Sequence, residues 1–119
     1  MIRAFILLVS FLFVQNIYSQ DVQVTPWEEK RASVFSSYIA EQMEMNDKDK
    51  DFVHKVMLDR IVNARIQIRG KSLTQEDKKR IFRSEYAKAQ ARLVEHFDTK
   101  TARKIMSLSN EARKMADTR

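Results

Sequence analysis

The chain has 119 residues, 22 basic against 16 acidic for a net charge of +6, with one glycine, one proline and no cysteine. That length holds one small domain, and average usage of roughly 7% glycine and 5% proline makes Gly70 and Pro26 conspicuous singletons, all but excluding glycine-rich phosphate loops and tight β-hairpins. The lack of cysteine removes disulfides, thiolate zinc sites, cysteine nucleophiles and the lipid-bearing cysteine of a lipoprotein.

Arg3 is followed by an apolar run from Ala4 to Val14 broken only by Ser10, and Asn16-Ile17-Tyr18-Ser19 places a small residue before a cut. This is the layout of a secretory signal peptide over residues 1–19, cleaved after Ser19. The apolar stretch, counted from Ile2 to Tyr18, falls short of the roughly 20 residues that span a bilayer as a helix; an uncleaved anchor is the competing reading. The expected location is outside the cytoplasm, in the periplasm of a Gram-negative bacterium. Processing removes only Arg3 among charged residues, leaving 21 basic and 16 acidic side chains.

The mature chain, 20–119, predicts a single all-α domain with helices over 26–44, 47–69, 75–96 and 99–116. In the first, Thr25 suits an N-cap, Pro26 the first turn and Glu28 the third position of a capping box. Trp27, Val34, Phe35, Tyr38, Ile39 and Met43 are expected to share its apolar face. The second starts after Asn46, with Asp47, Asp49 and Asp51 at the positive end of the helix dipole, and stops at Gly70, a left-handed cap. Its apolar residues, from Phe52 through Met57 and Ile61 to Ile68, fill more than one stripe, so it should touch neighbours on two sides. The third carries Phe82, Tyr86, Ala89 and Leu93, and the fourth a face of small residues including Ala102, Ser109, Ala112 and Ala116. Antiparallel packing of the last three helices around Met57, Ile61, Phe82, Tyr86, Leu93 and Ile105 is the expected core. Leu, Ile, Val and Phe make up only 21 of the 100 mature residues. Such a thin core predicts a homodimer, formed through the first or second helix.

Three helix starts share one layout: an apolar residue, a capping residue, and a second apolar residue eight positions after the first. The pairs are Met45/Val53, Leu73/Ile81 and Phe97/Ile105, with Asn46, Thr74 and Asp98 as caps. Independently chosen good caps would also produce this repetition. Leu73-Thr74-Gln75-Glu76-Asp77 and Met45-Asn46-Asp47-Lys48-Asp49, 28 residues apart, resemble the paired LTxxQ motifs at the helix starts of Spy/CpxP-like periplasmic proteins. The resemblance covers Met45 to Ala116; Asp49 and Asp77 stand where the family has its final Gln. It implies a helical, often dimeric cradle that binds unfolded or stress-related partners without a cofactor.

Charge is segregated: residues 20–59 hold 5 basic and 9 acidic side chains, whereas 60–119 hold 16 and 7. The basic half either pairs with the acidic half, lies solvated, or attracts anionic partners by long-range fields. Nucleic acid is not expected, because Phe82 and Tyr86 fall on the expected core face rather than among exposed basic residues. No nucleophile, base and orienting acid stand at a recognisable spacing, and no enzyme is expected. The leading expectation is an ATP-independent chaperone or envelope-stress module. Arg60, Arg65, Arg69, Lys79, Arg80 and Arg83 would steer partners that Met57 and Phe82 contact. The alternatives are a structural protein docked on an anionic membrane or envelope surface, and a metal sensor built on His54, His96, Met43 and Met45.

Overall fold

A computed structural model describes residues 23–117; the expected signal peptide, 1–19, lies outside the described residues. They form four α-helices and no strand: α1 (Pro26–Met43), α2 (Asp47–Ile68), α3 (Gln75–His96) and α4 (Thr99–Asp117). The all-α expectation therefore holds, and no helix among the described residues is long and apolar enough to cross a membrane.

The helix boundaries are set by local chemistry. Thr25 Oγ1 accepts the Glu28 N–H at 3.2 Å, while the Glu28 carboxylate accepts the Thr25 N–H at 3.0 Å. Two N–H groups that the helix itself cannot satisfy are thereby paired. Asn46 accepts the Asp49 N–H at 2.8 Å, and Thr74 accepts the Asp77 N–H at 3.1 Å, with Asp77 Oδ2 accepting back from the Thr74 N–H at 3.3 Å. Asp77, the residue that departs from the LTxxQ pattern, thus closes the capping box. Asp98 accepts the Thr101 N–H at 2.6 Å, and the hydrogen bonds from Thr101 hold its carboxyl below the usual carboxylate range.

The connections are short and differ in length. Glu44, left-handed at φ 52°, turns the chain out of α1 by donating its N–H to the Ala40 carbonyl. The α2–α3 connection, residues 69–74, contains Gly70 at φ 74°, in the left-handed region that glycine enters without a Cβ penalty. Phe97 and Asp98 alone link α3 to α4.

Each helix packs on two others, α1 on α2 and α4, α3 on α2 and α4. Cross-links along two of these pairs show their antiparallel directions: Glu28 with Arg65 and Ser36 with His54 between α1 and α2, Gln67 with Glu85 and Asp49 with His96 between α2 and α3. The core combines Ala32, Phe35 and Ile39 of α1, Val53, Val56 and Met57 of α2, Ala89 and Leu93 of α3, and Ile105 and Met106 of α4 among others. α1 is thus a full member of the bundle, beyond the three-helix core expected from the sequence. The small face of α4 is buried at Ala102, Ser109 and Ala112, which allows close approach of its neighbours, whereas Ala116 is exposed.

One core assignment and two apolar-face assignments are corrected. Phe82 is 52% exposed, not internal. Trp27 and Val34, seven residues apart and so on one stripe, are 62% and 49% exposed, because the stripe that meets the core is the adjacent one through Ala32, Phe35 and Ile39. Of the remaining expected core residues, Met57, Leu93 and Ile105 are buried, and Ile61 and Tyr86 pack against them half-buried.

Candidate functional site

One end of the bundle is closed by stacked rings. Phe52 of α2 lies 4.0 Å from the His96 ring of α3, nearly parallel to it, and Phe97 meets both edge-on at 6.1 and 4.6 Å. His96 Nε2 reaches Asp49 Oδ1 at 3.1 Å. At the opposite end, where α1 begins and α2 finishes, a cleft of about 820 Å³ opens.

The cleft is built mainly from two helices. From α2 and its C-cap come Met57, Arg60, Ile61, Ala64, Arg65, Ile68 and Arg69, the i, i+3, i+4, i+7 positions of one face. From α1 come Trp27, Glu28, Arg31 and Phe35, while α3 contributes Phe82 and Glu85, and α4 contributes Arg113. The second apolar stripe of α2, which the sequence assigns to a neighbouring helix, is the wall of this cleft. Trp27 and Phe82 stand exposed at its edges.

Five arginines line the cleft and are held in different ways. Arg65 Nε donates to Glu28 Oε2 at 2.7 Å, and its Nη2 donates to the Gln23 carbonyl at 2.6 Å, tying the end of α2 to the start of α1. Burial pushes the Glu28 carboxyl up, but Arg65 and the two Thr25 hydrogen bonds outweigh it and leave the carboxyl below its ordinary value. The Arg31 guanidinium lies over Trp27 at 5.4 Å and Phe35 at 5.1 Å, and that of Arg60 over Tyr86 at 5.2 Å. Burial first, and the like charge of Arg113 second, draw Arg60 below its ordinary range, with Tyr86 and Glu85 pulling the other way.

Few acids answer these cations. Glu28 is engaged by Arg65, and Glu85 accepts from Gln67 Nε2 at 2.8 Å and from Lys88 Nζ at 3.2 Å. Arg60, Arg69 and Arg113 have no acidic oxygen within 4.0 Å among the described residues. The result is an apolar trough with an excess of positive charge along its sides.

The structure separates the residues that the sequence groups as partner-binding. Arg60, Arg65, Arg69 and Phe82 meet at the cleft, but Lys79, Arg80 and Arg83 surround a small polar hollow with Glu76 instead. Met57 has no exposed surface, so it supports the floor of the cleft and cannot itself make the contact expected of it. The two motif-like helix starts lie at opposite ends of the bundle: Asn46 and Asp49 at the closed end, Leu73, Thr74 and Asp77 at the open end. Asp49 and Asp77 bind within the protein, to His96 and Thr74. Arg113 and Arg31 are absent from the sequence reading. Arg31 had a legible signal in its i+4 spacing from Trp27, whereas only tertiary packing brings Arg113 toward Arg60.

A polar row also joins α1 to α2, with Ser36 Oγ 3.3 Å from His54 Nδ1 and His54 Nε2 2.7 Å from Glu29 Oε1. The sequence spacing hid this Ser–His–Glu array. Ser36 is buried in mid-helix and its hydroxyl donates to the Ser33 carbonyl at 3.2 Å. The neighbouring N–H groups are committed to the helix, leaving no donor pair for an oxyanion. The row therefore works as a tie between helices. Both histidines are engaged by carboxylates in this way, Met43 and Met45 pack half-buried against the core, and no three His, Asp or Glu side chains cluster as a metal site among the described residues.

Compared with protein families, with characterised proteins and with solved structures, the chain gives no match.

Proposed function

We propose that this is an exported, non-enzymatic binding protein of the ATP-independent chaperone kind, which holds apolar, acid-bearing segments of unfolded or envelope proteins in the open-end cleft. One observation carries the reading: an apolar trough with exposed Trp27 and Phe82 in its lining also holds three arginines that form no ion pair among the described side chains. Covering a half-exposed aromatic ring contributes about 1–2 kcal/mol. The arginines add encounter rate and select anionic segments over cationic ones. The likeness of the helix starts to those of Spy/CpxP-like proteins supports the same reading. A working homodimer belongs to this reading, and a monomer mass by light scattering at micromolar protein would remove that part.

The test is aggregation of a chemically denatured model protein, followed by light scattering without ATP at two salt concentrations. Suppression near one protein per client, beyond that of an unrelated basic helical protein and weakened by salt, is the expected result. Suppression no better than the control overturns the reading. The exposed patch of Lys79, Arg80 and Arg83 favours a second reading, docking on an anionic envelope surface. Salt-sensitive sedimentation with anionic vesicles, undiminished by Phe82→Ser, would move the function there.

A further inference from the structure

The cleft has a direction and a period. Its α2 wall runs from Met57 to Arg69, twelve residues or about 18 Å of helix, which is a little over three turns. Along it Ile61, Ala64 and Ile68 line the cleft at helical spacing: Ile61 and Ile68 are half-buried, and the buried Ala64 forms the floor between them. A lining of that kind is the complement of another helix's apolar stripe, read through anchors at i, i+3, i+4 and i+7.

The charges are spread along the trough in the same direction. Arg60 and Arg69 lie nine residues apart, about 13 Å along α2, and Arg113 faces Arg60 from α4. An amphiphile with a single anionic head would meet one of these sites and leave the others bare. A helix with carboxylates two to three turns apart, on both flanks of its apolar stripe, meets all three. The acids of this chain that line the cleft, Glu28 and Glu85, are already occupied by Arg65, Gln67 and Lys88.

Resting on the binding reading above, we infer that the occupant of the cleft is an acidic amphipathic α-helix of about three turns in a partner protein. Its apolar stripe lies on Ile61, Ala64 and Ile68, and its carboxylates pair with Arg60, Arg69 and Arg113. The partner segment folds as it docks, so the cleft selects sequences by helical pattern as well as by charge.

The single tryptophan, Trp27, lies in the cleft lining and serves as the reporter. The full chain is titrated with an 18-residue Leu/Glu peptide of helical pattern. The comparison ligands are the same peptide with Lys for Glu, the same composition with a central Pro, and monomeric dodecanoate. The expected result is a blue shift of Trp27 emission with the Glu helix, a gain in peptide helicity by circular dichroism, and at least about tenfold weaker binding of the Lys and Pro peptides. Arg60→Gln and Arg113→Gln should each weaken the Glu helix several-fold while leaving the protein's own helical spectrum unchanged; Arg113, at the edge of α4, serves where Arg60→Gln disturbs folding. Equal binding of the Pro peptide overturns the inference but leaves the chaperone reading standing. Preferential binding of dodecanoate overturns it in favour of a lipid-type ligand, and an emission shift with protein concentration alone overturns it in favour of a second copy. Peptides that all fail while aggregation suppression persists overturn the inference alone; failure of both assays removes the reading as well.

Discussion

The two ends of the bundle use similar residues for opposite purposes. At the closed end aromatic rings face one another, Phe52 against His96 and Phe97, and the connections that bring them together are three and two residues long. At the open end Trp27 and Phe82 face solvent, cations lie over Trp27 and Tyr86, and the connection between α2 and α3 is six residues long. Tight links leave little freedom for the helices to diverge, and apolar surface there is consumed in holding the fold. Beside the longer link the cleft opens, and Trp27 and Phe82 in its lining stay exposed. Under the proposed function, stability and binding fall to different ends of one small domain.

The contrast fails if truncating an exposed aromatic at the open end costs as much stability as truncating a buried side chain of the core. Leu93→Ala, at a fully buried site in the core, should cost about 2–5 kcal/mol by chemical denaturation. A loss below 1 kcal/mol would mean that the core is looser than the structure depicts. Next in size is Glu28→Gln, which removes the negative charge opposite Arg65 at the rim of the cleft; about 2 kcal/mol should be lost at pH 7, since Glu28 is only 1% exposed.

That penalty should also depend on pH. The Glu28 carboxyl in the folded protein titrates below its ordinary 4.5, so its stabilisation is fully present above that value and is lost as pH falls through the folded value. The difference in stability between the natural chain and Glu28→Gln should hold from pH 7 to about 5 and shrink on further acidification. A difference that grew on acidification would contradict the pairing with Arg65.

Gly70→Ala should cost about 1 kcal/mol, because nothing lies within 4 Å of the added Cβ and the expense is that of φ 74° alone. Smallest of all, Phe82→Ser should change stability by less than about 0.5 kcal/mol yet abolish most aggregation suppression. A large stability loss with unchanged binding would reverse the assignment of the two ends.

Helix starts were legible from the sequence because capping is local. Thr25, Asn46, Thr74 and Asp98 each reach an N–H three residues on, whatever the rest of the fold does. Phe82 illustrates the limit. Its i, i+4, i+7, i+11 series with Tyr86, Ala89 and Leu93 names a common stripe, but the series runs from an open end to a closed one, and burial grows along it. Periodicity gives the direction of a side chain around its helix and says nothing of whether another helix is present at that height. Of the arginines, Arg60, Arg65 and Arg69 were marked by their place on α2, whereas Arg113 is more than forty residues from them and becomes part of the site only through the antiparallel return of α4.

The sequence by itself determined the class of structure, the four helices and their caps, and the separation of acidic from basic residues, since these rest on spacing, composition and contacts within one turn. Tertiary structure alone decided that α1 joins the core, that the second stripe of α2 lines a cleft, and that three arginines share this cleft without an ion pair among the described side chains. The physical reason is that burial and charge pairing depend on the placement of helices far apart in the chain, which spacing within one helix does not encode.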